Sequence, residues 1–299
     1  FICKKFINFY KPSILLLVET EIWPNLINVF NEFKLPVVLV NGRLSKKSLK
    51  KYQRLNFFFK SSFNKINHAF VQSKNDFERF YEAGVKEDAM SVTGSIKFDA
   101  NSASPKNFNE HEINYYKEKY VFVCGSTHPG EEEILIESFI DLKKANKHLV
   151  LAPRHPERFN EIKELLKEKK LASIFYTEIS SNPNDKSDVT IVDVIGRLLD
   201  FYEIADYVFI GGTLVDHGGQ NFLEPAYFHK PIISGRSTYN FEEISQKLED
   251  LDLLRFVSNK DEITHAIENM EAISDPLRQE IDLWLNQSRG ASKFISQKI

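Results

Sequence analysis

Eight short apolar runs recur along the chain, each followed by a longer amphipathic stretch, and this alternation limits the possible folds more than any other feature. The runs are Ile14–Val18, Val37–Val40, Ala69–Gln72, Val121–Cys124, Leu149–Ala152, Val189–Val192, Tyr207–Ile210 and Ile232–Ser234. They are continuous rather than alternating, the pattern of strands covered on both faces, as in a parallel sheet flanked by helices. The stretches between them carry helix punctuation. Pro24 stands at a helix start, Ser73 is placed to cap a helix containing Asp76–Ala83 that stops at Gly84, and Asn240 is placed to cap Phe241–Leu251. Strand followed by helix, repeated, predicts a doubly wound α/β architecture.

The 299 residues suffice for one large or two ordinary domains, and a 42% hydrophobic content excludes a disordered chain. After Asp99 the order breaks into the Asn-, Ser- and Pro-rich stretch Asn101–Asn109. The expected division is a first Rossmann-like domain over 1–100, a linker over 101–117, a second Rossmann-like domain over 118–275, and a C-terminal helix over 276–299 that crosses back to the first domain. Ser180–Ser187 reads as a surface loop, and Pro276–Gln297 as helical in pattern. The longest aliphatic run, Ile14–Val18, is far short of the ~20 residues a membrane-spanning helix needs. The two cysteines, Cys3 and Cys124, sit in no zinc or CxxC spacing and read as inert. The chain opens at Phe1 on a basic amphipathic segment leading straight into a strand, which reads as the interior of a longer sequence.

Charge is unevenly placed. No Asp or Glu occurs between Phe33 and Asn75, where ten Lys and Arg give +10, so with a total of −3 the remainder carries −13. One face is therefore expected to meet something anionic, a membrane surface or a phosphorylated ligand. Lys46–Lys65 interleaves basic residues with Phe57, Phe58, Phe59 and Phe63, which suits a face on anionic lipid. A core helix with a solvated Lys side is the plainer alternative. Nucleic acid ranks lower, since the sequence pI is near 6.3 and no nucleic-acid motif occurs.

Four segments carry candidate chemistry. Tyr207–His229 runs from an apolar strand through Gly211, Gly212 and Thr213, then His217, Gly218, Gly219, Gln220 and Asn221, into a helix bearing Glu224. Strand, glycine loop and helix start is anion-binding geometry, although neither a dinucleotide fingerprint nor a Walker loop. Arg154 and His155 follow a strand, at the carboxyl edge where open α/β sheets bind ligands. Ser126 and Thr127 occupy the same kind of position, with a capped acidic helix, Glu131–Glu133, as the plainer reading. Glu19 and Glu21, ending the first strand beside Trp23, could act as general base or simply complement a helix N-terminus. The histidines show no metal spacing, so neither metal nor cofactor is predicted.

Several of these segments, in order, resemble one family. Glu19–Leu26 (ETEIWPNL), Asn41–Ser45 (NGRLS), Val92–Asp99 (VTGSIKFD), Ser126–Glu132 (STHPGEE), Pro153–Phe159 (PRHPERF), Gly211–Val215 (GGTLV) and His217–Glu224 (HGGQNFLE) are similar to the 3-deoxy-D-manno-octulosonic acid (Kdo) transferases of lipopolysaccharide synthesis, over nearly the whole chain from Ile14. The resemblance implies a GT-B glycosyltransferase, with two Rossmann-like domains facing across a cleft and the first N-terminally incomplete. It implies inverting transfer of Kdo from CMP-Kdo to a lipid A precursor, without metal, at the cytoplasmic face of the inner membrane. The chain would be peripheral there, any anchor lying outside it. Carried over by position, Arg154, His155, Gly212, Gly218, Gly219, Asn221 and Glu224 surround the CMP phosphate and ribose. Ser126 and Thr127 border the same cleft, Lys97 its hinge side, and Glu21 or Glu19 the acceptor side; Gly196 fits the base pocket. Two departures accompany the likeness. The family's principal base, a Glu in a Ser-x-Gly-Glu motif, falls before Phe1, implying either part of a longer enzyme or a poorly active fragment, and Arg197 stands where the family usually carries an acid. The alternatives are a UDP-sugar-dependent transferase or epimerase of the same fold, and a non-catalytic nucleotide-sugar or lipid A binding module.

Overall fold

The structure, a computed structural model, describes residues 2–99, 105, 107–182, 184–271 and 273–299. The chain divides into two compact units, one of Phe1–Ser102 with Asn286–Ile299 and the other of Ala103–Leu285.

The first unit is a parallel sheet of β1 (Leu15–Val18), β2 (Val37–Gly42), β3 (His68–Val71) and β4 (Met90–Val92), in that spatial order. Its helices are α1 (Ile2–Tyr10), α2 (Pro24–Glu32), α3 (Lys46–Arg54), α4 (Asn56–Phe63) and α5 (Lys74–Ala83). Strands laid down in sequence order with right-handed crossovers put the connecting helices on one face. Alternate residues show it. Leu17, Val37, Leu39, Ala69 and Val71 pack against Ile27, Phe30, Phe63 and Phe80 of the helices, whereas Val38 and Phe70 point the other way. Helix punctuation holds at Pro24, at Ser73, whose Oγ accepts from the Asp76 amide at 3.1 Å, and at Gly84, at φ +113°.

The second unit is a seven-stranded parallel sheet in the order β11-β10-β9-β5-β6-β8-β7. Its strands are β5 (Tyr120–Thr127), β6 (Lys147–Pro153), β7 (Ser173–Phe175), β8 (Val189–Ile191), β9 (Tyr207–Ile210), β10 (Ile232–Ser234) and β11 (Leu254–Phe256). Helices α6 (Glu110–Tyr116), α7 (Glu131–Asp141), α8 (Phe159–Glu168), α9 (Leu198–Ile204), α10 (Leu223–Tyr227), α11 (Glu242–Asp250), α12 (Lys260–Asn269) and α13 (Asp275–Gln287) accompany it. From β5 the chain proceeds to β6 on one side and later places β9 on the other. The carboxyl ends of β5, β6 and β9 therefore flank a topological switch point, where such sheets leave a crevice. Cys124 is fully buried among Phe122, Leu135, Leu151 and Phe209 of this core.

Three sequence expectations are corrected. The stretch expected as linker contains α6, started by an Asn109–Glu112 capping box; Asn101–Ser104 and Lys106 lie outside the described residues. Asn240 does not cap α11, because its Nδ2 donates instead to the His217 carbonyl at 2.9 Å. The single C-terminal helix is two, broken where Gly290 takes φ +108° before α14 (Ala291–Lys298). Asp99 fixes that break by accepting the amides of Gly290 and Ser292 at 2.7 and 2.6 Å. Ile295 of α14 then packs on Val38 and Phe70, covering the far face of the first sheet.

Candidate functional site

The loops after β5 and β9 lie back to back. The Gly211 amide donates to the Gly125 carbonyl at 2.8 Å, and a Cβ at Gly211 would collide with the carbonyl of Ser126. Glycine is therefore required there by the closeness of two backbones. Ser126 itself holds φ +55°, a costly conformation for a residue with a side chain and one that concentrates at ligand sites.

The glycine loop after β9 does not leave its amides open. Glu131, at the start of α7 and fully buried, accepts Gly212 N–H at 2.7 Å and His128 N–H at 2.9 Å on Oε2, and Thr213 and Leu214 N–H at 2.9 and 3.0 Å on Oε1. Burial pushes its carboxyl above the usual range, while the four amides pull it back. The carboxylate fills the place that a phosphate would take in an open loop of this kind. Nor are the next glycines free. Gly218 N–H donates to Ser237 Oγ at 3.1 Å and Gly219 N–H to the Gly212 carbonyl at 2.9 Å.

The open space lies alongside. A cavity of about 410 Å³ in the second unit is lined by Ser126, Arg154, Gly196, Asn221 and Glu224, with Gln220, Asp200, Tyr202, Leu198, Leu199 and Pro105 completing it. Arg154 is exposed, and its guanidinium has no ion-pair partner among the described residues. Its neighbour Arg158 is by contrast spent on Glu132 at 2.6 Å and Glu161 at 2.8 Å. Asn221 donates from Nδ2 to Glu224 Oε1 at 3.0 Å and accepts the Leu223 amide on Oδ1, which fixes the carboxylate at the cavity wall. Burial raises the Glu224 carboxyl above its usual value, and the Asn221 hydrogen bond opposes this.

Arg197 is held away from ligand chemistry. Its Nε pairs with Asp200 at 2.6 Å and its Nη2 with Glu112 at 3.5 Å, and the guanidinium lies over the Phe108 and Tyr176 rings. Thr127 is fully buried at the end of β5 rather than in the cavity wall. His155 stands beside the cavity, half exposed. In the first unit Glu19, at φ +57°, pairs with Lys97 at 3.3 Å and Arg43 at 3.9 Å. Burial lowers the Lys97 ammonium and Glu19 supports it. Glu21 is exposed and accepts the Trp23 indole N–H at 2.9 Å. Trp23 is 59% exposed, so it does not enclose either carboxylate.

Comparison with known proteins points to one family. The family model of 3-deoxy-D-manno-octulosonic-acid transferases (kdotransferases) matches residues 1–100. A 3-deoxy-D-manno-octulosonic acid transferase of Haemophilus influenzae is 35% identical over 269 residues, 88% of this chain and 63% of that protein. The chain is similar to Kdo transferases along most of its length. A bifunctional glycosyltransferase/methyltransferase of Fusobacterium nucleatum is 37% identical over 89% of this chain and 42% of its own length. The chain thus spans about two fifths to three fifths of these relatives. Among solved structures, the C-terminal CMP-Kdo binding domain of WaaA from Acinetobacter baumannii has the same fold, at TM-score 0.50 and 24% identity over 60% of this chain and 93% of that domain.

The structure gathers five of the expected residues, Ser126, Arg154, Gly196, Asn221 and Glu224, around one cavity. It sets Gly212, Gly218 and Gly219 in the framework behind it. Glu131 and Gln220 were not singled out as site residues from sequence. The signal for Glu131 was present in the order Gly130-Glu131-Glu132, an acid directly after a left-handed glycine at a helix start.

Proposed function

We propose that this chain binds CMP-Kdo in the cavity of its second unit and takes part in inverting transfer of Kdo to a lipid A precursor. The observation that carries the reading is the convergence of an unpaired guanidinium, Arg154, and a fixed carboxylate, Glu224, on one cavity of nucleotide size. Arg154 suits the CMP phosphate, with Ser126 and Gln220 as further donors, and His155 stands next to it. Glu224, fixed by Asn221, suits the ribose hydroxyls as acceptor. Gly196, Leu198 and Leu199 offer the base an apolar wall with room for close approach.

In the transfer, an acceptor hydroxyl loses its proton to a carboxylate and its oxygen attacks the anomeric carbon. The bond from that carbon to the phosphate oxygen breaks with inversion, and CMP leaves with the electron pair. Charge grows on the phosphate as this happens, so Arg154 contributes most in the transition state. Glu131 acts at a remove by locking the loop that carries the cavity wall. Glu19 and Glu21 are assigned to the acceptor; Glu21, whose hydrogen-bond partner is the Trp23 indole, is the better placed to take a proton than Glu19 with its two cationic partners.

The lipid acceptor implies a membrane surface at the cytoplasmic face of the inner membrane. Among the described residues no helix is long and apolar enough to cross a membrane. Phe57 is 90% exposed, and Phe58, Leu55, Ile2, Phe6 and Phe9 are exposed with it, whereas Phe63 is fully buried. Helix α1 packs beside α2, and α2 beside α4, so these apolar side chains belong to one helical layer with the basic residues of α3. Such a mixture suits the interface of anionic lipid.

Nucleotide competition tests the donor assignment. CMP is expected to bind the chain saturably and UDP to compete at least about tenfold less well, as differing base contacts require. Equal or tighter binding of UDP would instead assign the cavity to a UDP-sugar.

A further inference from the structure

Beside the cavity stands a cluster of three histidines, two of which the reading above leaves unused. The His128 imidazole is stacked on that of His217, centroids 4.3 Å and planes 21° apart, and meets His155 edge-on at 5.7 Å. His128 is buried, while His217 and His155 are exposed. Two cavity-lining residues join the cluster to the cavity: Gln220, whose Nε2 lies 3.3 Å from His128 Nε2, and Arg154, which immediately precedes His155. No hydrogen-bond partner meets the ring nitrogens of His217 among the described residues.

Three imidazoles beside a guanidinium concentrate N–H donors and latent positive charge. Burial, then His217, His155, Arg154 and Arg158, lower the His128 imidazole to about 4. Both oxygens of Glu131 are engaged by backbone amides, and Glu157 reaches only His155, at 3.7 Å on the exposed side. Among the described residues no set of three His, Cys, Asp or Glu is arranged to hold a metal ion. The exposed imidazole of His217 is thus left open to a ligand acceptor.

We propose that His217, held by its stacking on His128, whose ring also meets His155 edge-on, forms a second anion subsite of the donor cavity and takes the carboxylate of the transferred sugar acid. This rests on the CMP-Kdo reading. That donor carries two anionic groups, a phosphate and the carboxylate of the octulosonic acid, and Arg154 answers only the first. A neutral sugar nucleotide would leave the histidines without a partner, so the subsite is also a specificity device.

The test measures, by calorimetry, binding of CMP and of a stable, non-transferable CMP-Kdo analogue that keeps the sugar carboxylate, to the wild-type chain and to His217→Asn and His217→Lys. The wild type is expected to bind the analogue about tenfold more tightly than CMP, the scale of one charge-assisted hydrogen bond. His217→Asn should bind CMP as the wild type does and lose most of that advantage, and His217→Lys should recover it. An undiminished advantage in His217→Asn, or no advantage in the wild type, overturns the subsite while the CMP site stands. Absence of CMP binding to the wild type removes the donor assignment and the subsite together.

Discussion

Glu131 Oε2 lies 2.7 Å from the amide nitrogen of Gly212, so the glycine-rich loop that would suit a phosphate already holds a carboxylate of the chain itself. The loop is thereby fixed before any ligand arrives. The free positive charge at the cavity is then a side chain, Arg154, rather than a ring of amides.

Replacing Glu131 by Gln leaves the shape and removes one of two acceptor oxygens, turning an NH₂ group toward two backbone donors. Unfolding free energy should fall by about 3 kcal/mol, the cost of leaving buried donors without a charged acceptor. Denaturant titration measures it, and a change below about 0.5 kcal/mol, the range of an ordinary surface substitution, would show that the carboxylate does not hold the loop.

Two arginines near the cavity should respond in opposite ways. Arg197→Ala removes a cationic partner of Asp200, which is 1% exposed, and should destabilise the chain by about 3 kcal/mol while leaving CMP affinity unchanged. Arg154→Ala should leave stability within about 0.5 kcal/mol of wild type. Thermal unfolding of the two variants in parallel distinguishes a framework arginine from a ligand-binding one; equal destabilisation contradicts the assignment.

Asp99 supplies a pH dependence. Burial would raise its carboxyl, but the amides of Gly290 and Ser292 outweigh this and hold it below the usual carboxylate range. A depressed folded value means that the carboxylate stabilises the fold above the unfolded pKa of about 4, and that this contribution is lost as pH falls through the folded value. Asp99→Ala should cost about 1 kcal/mol at pH 7, as loss of a helix cap does, and nothing more than wild type near pH 2. A penalty that persists unchanged at low pH would point to packing rather than charge.

The exposed phenylalanines of α4 should govern membrane contact without governing stability. Phe57→Ser with Phe58→Ser should lower partitioning onto vesicles rich in phosphatidylglycerol by about tenfold or more, since each ring removes apolar area from the interface. Co-sedimentation reads this, with Tm as the control. Retained binding by the double variant would place the membrane-facing surface elsewhere.

What the sequence disclosed and what it concealed divide along burial. All eight strands expected from continuous apolar runs occur, because each has a neighbour on both sides or is covered by helices. The exception in position is β1, an edge strand whose Leu16 and Val18 are half exposed yet whose sequence is wholly aliphatic. The strands that the runs did not announce are β4, β7 and β11, the remaining edges of the two sheets. Each has three residues and one is polar or charged, Ser91, Ser173 and Arg255, which a strand with a single neighbour tolerates.

At the site, the residues announced by their position after a strand, Ser126, Arg154 and Asn221, do meet at one cavity. Glu131 escaped because an acid at a helix start is the ordinary complement to the dipole, and nothing local says that its partners are eighty residues away. The amides it engages at Gly212, Thr213 and Leu214 are brought to it by the pairing of β5 with β9, a non-local event that no window of sequence displays. Asn240 illustrates the converse: a residue with good capping chemistry is drawn off by a carbonyl, that of His217, which the fold places nearer.

Titration of CMP into the wild-type chain and into the Arg154→Ala/Glu224→Ala double variant tests the donor site most directly. The wild type should bind saturably and the double variant about a hundredfold or more weakly, with the fold intact by circular dichroism, because a phosphate and a ribose partner are lost together. Equal affinity in the two proteins would contradict the account.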